Sequence, residues 1–236
     1  MDSIPPLKVY QQLLKCFGPQ GWWPVARNGS AEPKHIPGRY RLRNDLEKFE
    51  VCIGAILTQN TAWRNVELAM ARLREEKALA PGAMARIAVN KLAKFIRPSG
   101  YYNQKAARIK DFAGYTVKNY GGSLSEMFDK PVEELRKELL SLKGIGPETA
   151  DSMILYAANK PVFVVDAYTQ RFVKRFGWLK DPDYYSTQTY LIERLPRKLE
   201  VYNEYHALIV ALGKDHCKTK PACAKCILAR FCRKIK

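Results

Sequence analysis

The chain holds 236 residues, 47% of them apolar, enough for one large or two small hydrophobic cores. Forty Lys and Arg against 23 Asp and Glu leave a net charge of +17. That excess points to a polyanion, nucleic acid first, rather than to a surface of balanced charge. No apolar run approaches the roughly 18 residues of a membrane span, and the N-terminal MDSIPPLKVY has no signal h-region. A cytoplasmic, nucleoid-associated protein is therefore expected, in which the six cysteines are not disulfides.

Taken in order, residues 7–17 carry Val9, Leu13, Leu14 and Phe17 at helical spacing, and Gly18-Pro19 ends the pattern. Trp22-Trp23-Pro24 follows in a loop. Two readings stay open there: a lid over a core edge, or a wall on which a flat base stacks. Residues 25–43 show no periodicity and read as a surface excursion. Phe49, Cys52, Ile53, Ile56 and Leu57 mark one buried helix face, with the amides Gln59 and Asn60 directly after it. Helices are predicted over residues 64–77 and 84–96, then over a run with Ile109, Phe112, Thr116 and Tyr120 that Gly121-Gly122 breaks. Ser123 with Glu126 suggests a capping box. A helix bearing Val132, Leu135 and Leu139 leads into the next motif.

That motif is LKGIGPETA, with Gly144 and Gly146 flanking Ile145 ahead of a helical pattern that runs to residue 159. Glycines permit positive φ and close backbone approach, so N–H groups between Gly144 and Glu148 can converge on a phosphate oxygen. Pro147 suits the first helical turn. After Lys160-Pro161 the apolar residues 162–165 hint at a strand and end in one carboxylate, Asp166, placed to cap a helix over residues 167–176. Residues 184–195 and 202–212 complete the helices. The C-terminal cysteines are spaced Cys217-x5-Cys223-x2-Cys226-x5-Cys232. Zinc sites usually show two short knuckles and this motif has one, so a [4Fe–4S] cluster is expected ahead of zinc.

Together LKGIGPETA and VFVVD resemble the helix-hairpin-helix plus Gly/Pro-Asp signature of the endonuclease III superfamily of DNA glycosylases. Within it, Trp22-Trp23-Pro24, FEVCIGAILTQNT, RPSGYYNQKA, KGIGPETAD and VVDAY look most like the 3-methyladenine DNA glycosylase III branch, a likeness that spans residues 22–168. The family's cysteine pattern has one residue more in its first gap, and the cysteines themselves depart from that branch.

The resemblance implies an all-α fold with two helical subdomains, residues 46–166 and residues 1–45 with 167–236, and an active site in the cleft between them. It implies base excision repair on double-stranded DNA holding a damaged base, by a monomer with a [4Fe–4S] cluster on Cys217, Cys223, Cys226 and Cys232. Asp166 would be catalytic. Gln59, with Asn60 beside it, would fill the gap left by a flipped nucleotide. Lys143, Gly144, Ile145, Gly146, Glu148 and Thr149 would meet the DNA. Trp22, Trp23 and Phe49 would stack on the base with Pro24 at the rim, and Glu148 and Tyr168 would be the polar pocket groups. Bifunctional members carry a nucleophilic lysine where this chain has Glu148, which cannot form an imine. A monofunctional enzyme for cationic alkylated purines is thus the first expectation. A mismatch thymine or uracil glycosylase and a non-catalytic DNA-binding module are the alternatives.

Overall fold

The computed structural model describes residues 4–26 and 33–233; residues 27–32 of the predicted surface excursion lie outside them. The described chain is helical throughout, its single β-bridge joining Val25 and Lys34. It forms two compact units: Met1–Trp22, Ile36–Tyr40 and Pro161–Lys236 make one, Trp23–His35 and Arg41–Lys160 the other. The partition differs from the predicted boundaries at three places. Residues 161–166 belong with the C-terminal helices, and Trp23–His35 and residues 41–45 with the hairpin.

The hairpin unit contains α2 (Asp45–Leu57), α3 (Trp63–Glu75), α4 (Pro81–Arg86), α5 (Val89–Phe95), α6 (Tyr102–Tyr120), α7 (Leu124–Phe128), α8 (Val132–Ser141) and α9 (Pro147–Ser152). Its centre is α2, in which every residue from Phe49 to Leu57 is buried, not only one face. Such a helix carries apolar residues all round, and its one buried charge, Glu50, is answered by the Arg74 guanidinium and by the Ala26 N–H at 3.0 Å. Where one helix was expected over residues 84–96, two form. Ile87 and Ala88 adopt extended ψ angles of 133° and 136°, and the Lys110 ammonium takes the carbonyls of Ala85 and Ile87 that a continuous helix would have used. Half of the predicted capping box is present: Ser123 accepts from the Glu126 N–H. The other groups at that helix start turn to Asp45, which accepts from Leu124 N and Ser125 N at 3.1 and 2.9 Å.

Beyond α9 the helix does not continue regularly to residue 159. It widens into a π-helical turn, Met153–Ala157, whose Met153 carbonyl accepts from Ala158 N at 2.9 Å, and all five π residues are buried.

The cysteine-bearing unit contains α1 (Pro6–Phe17), α10 (Ala167–Phe176), α11 (Tyr184–Ile192) and α12 (Leu199–Asp215). Helix α12 is its spine, buried without interruption from Tyr202 to Val210, with α1 and α10 packed along it. The strand hinted at over residues 162–165 does not form. Phe163, Val164 and Val165 are buried but in neither helix nor ladder, and the Phe163 carbonyl accepts from the Gln188 side chain at 2.7 Å. Its ring packs against Tyr202 and Tyr205, centroids 5.5 and 5.9 Å apart, so helix packing substitutes for a sheet. No described helix is long and apolar enough to cross a membrane.

Candidate active site and DNA-binding hairpin

Asp166 ends the extended segment and caps α10. Its Oδ1 accepts from the Thr169 backbone N–H at 2.7 Å and from the Thr169 hydroxyl at 2.8 Å, the geometry expected of a carboxylate N-cap. Its Oδ2 lies 3.6 Å from His206 Nε2 on α12. Burial alone would raise this carboxyl, but His206 and the two Thr169 donors outweigh it and hold it below the ordinary value of 3.8. A largely buried charge held ionised in this way can stabilise developing positive charge on a sugar or orient a water. His206 was invisible in the sequence, lying on a helix 40 positions away whose neighbours are all buried.

The aromatic residues divide. Trp22 is half-buried; its indole meets His206 edge to face at 6.1 Å, and the Lys214 ammonium stands 5.9 Å from its centroid. Trp23 is built into the hairpin unit, edge-on to Trp63 and Tyr156 at 5.5 and 5.3 Å. It lies so close over Gly54 that a Cβ there would come within 3.2 Å of the indole. Pro24 is buried beside it, on a small cavity also lined by Glu50, Trp63 and Arg74. Phe49 is the clear correction: it is fully buried and stacked on Phe112, centroids 6.1 Å apart, so the side chain expected against the base belongs to the core. Tyr168 is engaged structurally as well. Its ring lies on Gly213, where a Cβ would come 2.2 Å from Cδ1, and the Arg171 guanidinium stands 4.9 Å from its centroid.

In the hairpin, Gly144 has φ +82° and Gly146 is the N-cap of α9, with Pro147 as the first helical residue. Gly144 is required twice, since a Cβ would also fall 2.3 Å from Arg108 Nε. Lys143 and Glu148 are exposed. The convergent set of N–H groups is smaller than expected: Pro147 has none, and Ile145 N donates to the Leu142 carbonyl at 3.1 Å while its side chain is buried. Thr149 is likewise buried, its hydroxyl accepting from Gln59 Nε2 at 2.9 Å. Gln59 also donates to the Gly144 carbonyl at 3.0 Å, and its Oε1 accepts from Arg108 at 2.6 Å. Asn60 beside it is exposed and left-handed, φ +51°. Underneath, the buried Lys105 ammonium donates to the carbonyls of Leu57 and Ser99 at 2.8 and 2.7 Å. It thereby ties the end of α2 to the turn before α6. Lys105 lies within the RPSGYYNQKA piece and Arg108 in none of the motifs, but the partners of both are brought to them only by the fold.

The four C-terminal cysteines, Cys217, Cys223, Cys226 and Cys232, all line one cavity with Phe172, Leu212 and Leu228. The loop is fastened to α10 by Arg171 and Arg175. Arg171 reaches the Cys217 carbonyl at 2.8 Å, and Arg175 reaches the Thr219 carbonyl at 2.8 Å and Cys217 Sγ at 3.5 Å. Burial and the three neighbouring cysteines push the Cys226 thiol up, so it holds its proton more firmly than a free thiol, and a metal bound there would have to displace that proton.

Comparison with known proteins fits these features. A DNA-repair assignment is carried by the name of a Methanocaldococcus jannaschii glycosylase, 41% identical over 228 residues that cover 95% of this chain and 94% of the relative. Endonuclease III of Thermotoga maritima is 31% identical over 193 residues, 81% of this chain and 85% of its own. Among solved structures, the H. pylori 3-methyladenine DNA glycosylase bound to 1,N6-ethenoadenine superposes with a TM-score of 0.71 at 27% identity, over 89% of this chain and 98% of that one. The family model of HhH-GPD superfamily base excision DNA repair proteins matches residues 53–197. Hairpin, capping aspartate and match together make this chain a member of the HhH-GPD superfamily and a DNA glycosylase of base excision repair.

Proposed function

We propose that the protein is a monofunctional glycosylase that hydrolyses the N-glycosidic bond of alkylated purines of the 3-methyladenine type, flipped out of duplex DNA. The observation that carries this reading is the pairing of an ionised, helix-capping Asp166 with an exposed glutamate at position 148. The first can stabilise an oxocarbenium-like sugar; the second offers no amine for an imine. A purine methylated at N3 or N7 already carries positive charge, so its departure needs no acid, and the enzyme's task is to flip and stack it. Trp22 is the stacking residue in this reading, since Trp23 and Phe49 are occupied within the hairpin unit. Likeness to the ethenoadenine-bound glycosylase supports a modified adenine as the substrate class.

The four cysteines are proposed to hold a [4Fe–4S] cluster. Four thiols line one cavity, and their spacing has a single short knuckle where zinc sites usually show two, which suits a [4Fe–4S] cluster better than zinc. Such a cluster would cross-link the loop, and Arg171 and Arg175 already seat that loop on α10. Iron and acid-labile sulfide in equal amounts, about four of each per chain, are expected in protein purified without oxygen; zinc in their place would refute this assignment.

The function is tested by base release from duplexes carrying methylated purines, with T:G and U:G duplexes in parallel and strand cleavage scored before and after alkali. Release of 3-methyladenine with nicks only after alkali is expected. Release from the mismatches alone would replace the reading by a mismatch glycosylase, and nicking without alkali would remove the monofunctional assignment.

A further inference from the structure

The carboxamide of Gln59 is bracketed by its own protein. Both hydrogens of Nε2 are engaged, with the Gly144 carbonyl at 3.0 Å and the Thr149 hydroxyl at 2.9 Å, and Oε1 accepts from Arg108 at 2.6 Å. The amide cannot be turned over in this setting. A guanidinium only donates and a carbonyl only accepts, so Oε1 must face Arg108 and Nε2 must face Gly144. Arg108 is fixed in turn, its side chain lying against Gly144 where a Cβ would come within 2.5 Å of its Cδ.

We infer that Gln59 occupies the gap beside the flipped nucleotide without reading the base opposite, and that Arg108 is the positioning residue that enforces this indifference. The inference rests on the base-flipping glycosylase reading and on the gap-filling role that the resemblance implies for Gln59. A free carboxamide is one of the groups that reads base edges, through one donor and one acceptor held side by side. Here that donor and acceptor are turned to the hairpin and to α6. What remains for DNA is the flat bulk of the side chain, which fills space equally well beside any base. Indifference also suits the substrate: alkylation damages one base and leaves its partner correct, so the partner carries no information about the lesion. A mismatch enzyme has the opposite requirement.

The experiment is equilibrium binding of the full chain to duplexes that carry a tetrahydrofuran abasic analogue opposite dA, dC, dG or dT. For the unaltered protein the four affinities should agree within about threefold, less than one hydrogen bond supplies. Arg108→Met keeps an aliphatic stem over Gly144 but removes the donor to Oε1. The four affinities should then spread about fivefold or more, the scale of one hydrogen bond gained with some bases and not others. A wild-type spread above threefold, or no binding to any of the four, overturns the inference. So does uniform weakening by Arg108→Met with an unchanged spread, which would make Arg108 a simple phosphate contact. Should that variant fail to fold, Thr149→Val, nearly isosteric and removing one acceptor from Nε2, carries the same test. Base release from methylated DNA on the same preparations is a separate readout. Its absence alongside a flat wild-type profile that Arg108→Met disturbs would sink the substrate assignment and leave the bracket standing.

Discussion

The two units hold their functional polar groups by opposite devices. In the hairpin unit Gln59 is neutral, and three neutral or cationic partners from the hairpin, α9 and α6 complete its hydrogen bonds. In the cysteine-bearing unit Asp166 is a largely buried anion, held ionised by the first turn of its own helix and by His206 from α12. The buried glutamates do not divide in the same way. Glu50 of the hairpin unit faces the Arg74 cation, while Glu204 accepts from the Gln20 N–H and, at 3.1 Å, from the neutral Tyr40 hydroxyl; burial pushes both carboxyls up. A neutral group can be fixed by geometry alone. A charge taken out of water must also be matched by donors or it gives up its ionisation.

The largest break in this comparison should come from Asp166→Asn. The variant keeps the shape but removes the charge, and we expect base release to fall by about 10²–10³-fold or more, as for loss of a principal transition-state stabiliser. DNA binding should stay equal or become tighter, because a negative group near phosphates is gone. Single-turnover release with parallel gel shifts reads both; parent-rate release would end the catalytic assignment of Asp166.

On the hairpin side the largest effect should be Lys105→Met, which orphans the buried carbonyls of Leu57 and Ser99. About 2–3 kcal/mol of stability should be lost, a fall of roughly 5–10 °C in Tm. An unchanged Tm would mean that those carbonyls find other donors. Gly144→Ala comes next. The left-handed backbone at φ +82° disfavours a side chain by about 1–2 kcal/mol, and Arg108 must also move. This variant should weaken DNA binding while leaving the chemical step near normal once DNA is saturating; a selective loss of the chemical step would contradict the division of roles.

A further effect is in pH. Burial lowers the Lys105 ammonium from 10.5 to about 8. Below about 8 the side chain is charged both folded and unfolded, and the burial cost is complete. Between about 8 and 10.5 the unfolded chain binds the extra proton, so the Lys105 contribution to stability rises with pH. The Tm difference between the parent and Lys105→Met should widen across that window, and a constant difference would show that Lys105 does not titrate there.

Much of this was legible before any coordinates. Asp166 as the cap of a helix over residues 167–176, Pro147 as a first-turn residue and the glycines of the hairpin are local signals, each complete within a few neighbouring residues. The misreadings have separate causes. Phe49 lies on the predicted buried face, and only the resemblance set it against the base; the fold keeps it in the core, its ring covered by Phe112 from α6. Residues 162–165 looked like a strand because a short apolar run has no period of its own, and packing on α12 decided against one.

By itself, then, the sequence determined the helices, the hairpin turn, the capping aspartate and the four-cysteine motif, since dihedral preference, capping and apolar spacing act over one or two turns. Only the tertiary structure decided that His206 faces Asp166, that Arg108 and Thr149 bracket Gln59, and that Trp23 is packed away. Those pairs lie tens of residues apart in the chain, and only the packing of one helix on another sets which polar atoms come within hydrogen-bonding reach.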